Sequence, residues 1–140
     1  MKAGLSRISQ TIVAATLNAI KKDGYLVILS DIKDRKNPIG GKNYVACMCL
    51  LNILGPDGFL KLIKSKDWTF LPEQWQVQAW AKVFEKIPQE HIYFYTPQID
   101  DYFYNYLPGK AVKADSYQSA INYTLGEIEK TLGKILSLYP

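Results

Sequence analysis

Asp23-Gly24-Tyr25-Leu26-Val27-Ile28-Leu29 is the stretch whose reading decides the fold. The Asp-Gly step is a turn signal that closes whatever precedes it, and five apolar residues then follow without a polar interruption. A short continuous run of this kind, bounded by turn residues, predicts a strand buried on both faces, the type found in parallel sheets covered by helices. Upstream, Leu5, Ile8, Ile12, Ala15 and Ala19 recur at helical spacing and Val13, Leu17 and Ile20 widen the stripe. The opening segment therefore reads as a substantially buried helix. Downstream, Ser30 to Asn43 is polar and carries Asn37-Pro38 and Gly40-Gly41, so it reads as a loop.

The same alternation continues along the chain. Tyr44 to Leu54 reads as a helix stopped by Gly55-Pro56-Asp57-Gly58, with a short helix over Phe59 to Lys64. Pro72-Glu73 opens another helix that runs to about Lys86, and His91 to Tyr95 is an aromatic strand ended by Thr96-Pro97. Ile99 to Tyr106 reads as a short helix and Lys110 to Ala114 as a third short strand. Asp115-Ser116 caps a helix whose stripe is Ile121, Leu125, Ile128 and Leu132; Gly133 ends it, and Lys134 to Tyr139 reads as a last strand. The expected fold is a single α/β domain over residues 1–140, a three-layer Rossmann-like arrangement with a mostly parallel sheet of about four strands.

Composition sets limits on function. With 140 residues, 48% hydrophobic and 21% charged, the chain suits one globular core. The net charge of +4 is modest and its 17 basic residues are dispersed among acids, which argues against a nucleic-acid partner. No run of about 20 uninterrupted apolar residues marks a membrane span. Cys47 and Cys49 are the only cysteines and diverge on a helix, so they suit neither a metal site nor a disulfide framework; they read as small buried residues, and reduced thiols imply a cytoplasmic setting.

Several residues invite a chemical role and have a plainer one. Gly40-Gly41-Lys42-Asn43 precedes a helix and could cradle an anion, but it lacks the phosphate-loop and dinucleotide spacings, and a flexible turn is the simpler account. His91 is the sole histidine, with no nucleophile in an elbow motif to serve. Asp100 and Asp101 are adjacent and diverge, so capping suits them better than paired-carboxylate chemistry. Tyr93, Tyr95, Tyr102, Tyr104 and Tyr106, interleaved with Phe94 and Phe103, exceed what a small sheet hides, so some of these rings face a ligand or an interface.

The strongest functional signal is Leu71-Pro72-Glu73-Gln74-Trp75-Gln76-Val77-Gln78. Val77, Trp80, Ala81, Phe84 and Ile87 form the helix's apolar face, and Trp75, two residues before Val77, lies about 200° away from it. A large aromatic placed outside the core should meet a ligand, a domain or a partner chain.

Glu73-Gln74-Trp75-Gln76-Val77-Gln78, the Ala81-Lys82-Val83-Phe84 that follows and the next strand resemble the C-terminal domain of the nickel-dependent lactate racemase family, where Asp-Gln-Trp-Gln opens a helix before a strand. The opening helix, the Asp-Gly step into an apolar strand, the Gly-Gly loop and the closing helix-strand with Pro140 also follow that domain's order. The resemblance covers most of this chain and about the last third of a family member. It implies a domain that closes one side of a cleft in which a nickel pincer nucleotide and a 2-hydroxy acid bind. Trp75 would be a substrate-binding cleft residue; Gln74 would hold the helix start or line the same wall. The family's catalytic histidines and cofactor-anchoring lysine belong to its N-terminal domain, so no catalytic residue, metal ligand or cofactor is assigned to this chain. The implied partner is an N-terminal catalytic domain or another subunit. The family's glutamine and lysine of the first helix fall here near Ile8 and Thr11, which cannot replace them. An alternative from a different class is a non-catalytic self-association or interaction module that uses Trp75 and the tyrosine-rich segment.

Overall fold

A computed structural model describes residues 12–13, 15, 17–32, 36, 38–97 and 99–137, without the side chains of 134–137. Three strands, β1 (Leu26–Leu29), β2 (Ile92–Tyr95) and β3 (Lys110–Ala111), form a parallel sheet in the order β1-β2-β3. Leu26 pairs with Ile92, Ile28 with Phe94, and Phe94 in turn with Ala111. The amide of Ser30 donates to the Tyr95 carbonyl (3.0 Å), and that of Val112 to the Phe94 carbonyl (2.8 Å), so the ladders run one residue past the strands.

Because side chains alternate across a strand, β2 serves two cores. Ile92 and Phe94 join Ile28 in a large cluster with Tyr44, Met48, Phe59, Val77 and Trp80. Tyr93 and Tyr95 point the other way, against Val112, Ala120 and Ile128. The first face is covered by helices α1 (Lys42–Ile63) and α2 (Gln74–Lys86), the second by α3 (Tyr117–Ser137). The indole of Trp80 donates to the Tyr44 hydroxyl (3.0 Å), tying α2 to α1 inside the core. The chain is thus mixed α/β with a small open parallel sheet.

The structure corrects several expectations. All of β2 is buried, but β1 is an edge strand, with Val27 and Leu29 each 38% exposed, so Tyr25 to Leu29 is not hidden on both faces. In the first helical segment Val13 is buried while Ala15 and Ala19 are exposed, so the buried side is the one carrying Val13, Leu17 and Ile20. The part of that stripe before residue 12, Leu5 and Ile8, lies outside the described residues, as does Thr11. His91 ends a 3-10 turn (Gln89–His91) ahead of β2 instead of opening the strand. The third strand is only two residues long. Gly133 does not end α3, which continues to Ser137 where a fourth strand was expected; with no proline or turn pair after it, one glycine costs a helix only about 1 kcal/mol.

The two expected helices over Tyr44 to Lys64 form one element broken at Gly55, whose φ of 70° and ψ of 174° leave the helical region just before Pro56. By length and composition α1 could cross a bilayer. Its break leaves an unbroken helix of about 20 Å before Gly55, short of the roughly 30 Å of a hydrocarbon core. Tyr44, Cys47, Met48, Leu51 and Phe59 are also buried in this fold.

Candidate functional site at the carboxyl edge of the sheet

The connectivity gathers the residues of interest at one end of the sheet. The Asp23 amide donates to the Lys86 carbonyl (3.0 Å), placing the C-terminus of α2 beside the entry to β1. The N-terminus of α2 therefore lies at the opposite edge, where the strands end. There α1 begins after the loop that leaves β1, and there α3 begins after β3. In open parallel sheets this carboxyl edge is where crevices between loops receive ligands.

Trp75 stands on this edge, 41% exposed, as its phase against Val77 requires. Its platform is held from behind. The side-chain oxygen of Gln74, a residue only 3% exposed, accepts from the Trp68 indole (2.7 Å) and from the Leu71 amide (3.2 Å). Gln74 thus ties the start of α2 to Trp68 and Leu71. Trp68 is a half-buried residue that no sequence motif singles out; a tryptophan six residues before a glutamine carries no periodic signal. Phe70, between them, is 61% exposed.

Glu73 has a left-handed backbone (φ 67°), and its carboxylate lies against Gly41, where a Cβ would collide with it. Gly41 is the N-cap of α1 and offers no side chain to the free amides of that helix. A carboxylate beside this positive helix end is favourable. Its negative charge also disfavours an incoming anion at the Gly-Gly turn. The Cys47 thiol deeper in α1 is pushed above its ordinary range, first by burial and then by the charge of Glu73.

Gly40 and Lys42 continue into a cavity of about 330 Å³ that also includes Lys36, Tyr102, Phe103 and Tyr106. The 3-10 segment Asp101–Tyr106 supplies those rings. The Tyr106 hydroxyl donates to that of Tyr102 (3.3 Å), and the hydrogen bond raises the Tyr106 pKa. Tyr102 is 68% exposed. The glycine turn and the tyrosine-rich segment, read separately in the sequence, meet in one depression.

The remaining candidates lie elsewhere or in plain structural roles. His91 is at the amino edge, its ring stacked on Tyr25 (centroids 4.2 Å apart) and its Nδ1 3.1 Å from the Asp23 carbonyl oxygen. Asp101 pairs with Lys113 (2.6 Å) on the surface; Asp100 precedes the 3-10 turn without a side-chain capping bond, so the expected cap is absent there. Cys47 is buried and Cys49 half-buried, both free thiols. Among the described residues no three His, Cys, Asp or Glu side chains come together as a metal centre. No protein-family model, curated protein or solved structure matches this chain.

Proposed function

We propose that this chain is a non-catalytic α/β domain, Rossmann-like in plan, that forms one wall of a ligand cleft in a lactate-racemase-like protein. The observation that supports the reading is the mounting of Trp75: an exposed indole on a helix start held by Gln74, at the sheet edge where α/β domains meet their ligands. Trp75 would supply an apolar face that positions a 2-hydroxy acid and excludes water. The nickel pincer nucleotide, which would supply hydride chemistry, and the acid and base groups would come from the partner domain. His91 at the far edge is badly placed to join them.

The test is gel filtration of the chain alone and mixed with the separately produced catalytic domain of a lactate racemase. A monomer that co-elutes with that domain, and ceases to do so as Trp75→Ala, is expected. Racemisation of lactate by the isolated chain would overturn the division of roles. The competing reading, a self-associating interaction module, is favoured by the exposure of Tyr102 and Phe70. A concentration-dependent dimer lost on Trp75→Ala or Tyr102→Ala would establish that reading instead.

A further inference from the structure

A second cavity, of about 380 Å³, opens at the same edge of the sheet between the chain leaving β2 and the chain leaving β3. Thr96, the first residue after β2, is 5% exposed, lines this cavity, and has a hydroxyl with no hydrogen-bond partner among the described residues. Leaving a buried hydroxyl unpaired is costly, so native folds keep one chiefly where something else satisfies it. Gln76 and Thr124 also carry an unpaired buried oxygen, but neither lines this cavity.

The other polar groups around Thr96 define what would fit. Lys113 and Asp115, one basic and one acidic residue, both line the cavity, and Ile99 and Tyr104 add an apolar wall. The Lys113 ammonium bonds to Asp101 (2.6 Å) and lies 5.3 Å from the centre of the Tyr104 ring. Both members of that ion pair are more than 60% exposed, so the pair contributes little and can be exchanged for a ligand carboxylate at small cost. Asp115 immediately precedes Ser116, whose hydroxyl caps α3 by accepting from the Ser119 amide (3.1 Å). An anion alone would meet the Asp115 carboxylate, and a cation alone would meet Lys113. A molecule carrying both charges satisfies both.

We propose that this cavity is a binding site for a small zwitterionic amino acid. Its carboxylate pairs with Lys113, its ammonium with Asp115, and a polar atom engages the Thr96 hydroxyl. The site is distinct from the Trp75 wall and does not depend on the cleft-wall reading.

The probe is L-serine at millimolar concentration, titrated into the isotope-labelled full chain and followed by amide chemical shifts. Saturable shifts at Thr96 and at residues 113–116 are expected, with neither lactate (anion alone) nor ethanolamine (cation alone) reproducing them. Thr96→Val keeps the shape of the residue and removes the unpaired hydroxyl, so it should fold with an equal or higher melting temperature. Serine affinity should nevertheless fall roughly tenfold. Asp115→Asn should weaken serine while leaving the fold intact, because Asp115 is exposed. The proposal is overturned if serine leaves these amides unmoved, if lactate or ethanolamine binds as well as serine, or if Thr96→Val retains full affinity.

Discussion

At the scale of single residues, Gln74 and Trp75 are neighbours with opposite energetic roles. Gln74 is buried and its one oxygen accepts two hydrogen bonds, so Gln74→Ala leaves the Trp68 indole and the Leu71 amide without their partner. Removing one acceptor from two donors should cost about 1–3 kcal/mol in urea unfolding. Trp68 fluorescence should shift to the red as its indole gains water. Trp75 is exposed and its ring is outside the core, so Trp75→Ala should change stability by no more than about 0.5 kcal/mol. If Trp75→Ala proved as costly as Gln74→Ala, the ring would be a packing residue and its availability to a ligand would be lost. The phase of Trp75 against Val77 was legible from spacing alone. The clamp behind it was not, because it joins residues six apart through a non-helical turn.

At the scale of elements, two expected helix stops rest on glycines, Gly55 and Gly133, and backbone cost explains why only the first breaks its helix. Gly55 combines positive φ with extended ψ, a region other residues rarely enter, and a Cβ there would touch nothing within 4 Å. Gly55→Ala should therefore destabilise by about 1–3 kcal/mol through conformation alone. Gly126 sits inside α3 in helical backbone with the same open surroundings. Gly126→Ala should stabilise by roughly 0.5–1 kcal/mol, and differential scanning calorimetry of the two variants should move the melting temperature in opposite directions. Sequence reading takes Gly55, with Pro56 after it, as a stop and Gly133, at the end of the apolar stripe, as another. Only the first has a proline to enforce it. The strands were legible for a related reason. Tyr93, Phe94 and Tyr95 announce β2 by composition, whereas which strand occupies the edge depends on pairing between segments distant in sequence, and the Tyr25 to Leu29 run carries no mark of it.

At the scale of the whole molecule, two buried weak acids link stability to pH. The Cys47 thiol lies above its ordinary value of 9.0 through burial and the Glu73 charge. The Tyr93 phenol lies above 10.0, first through burial and then through Glu127 and Tyr123. In both, the folded chain holds its proton more tightly than the unfolded chain does. As pH rises past 9.0 the unfolded thiol releases its proton first, so the unfolded state binds fewer protons and stability falls with pH. Below that value both contributions are fully present; above 10.0 the phenol adds to the loss. Thermal unfolding from pH 7 upward should show a level melting temperature that begins to fall near pH 9. Cys47→Ala should start lower, because a buried side chain has been trimmed, but its decline should begin nearer pH 10 because the thiol no longer contributes. A second replacement, Tyr93→Phe, should flatten the curve further. A decline that starts at the same pH in all three proteins would mean that the core around Tyr44 and the tyrosines of β2 does not exclude water as the packing requires.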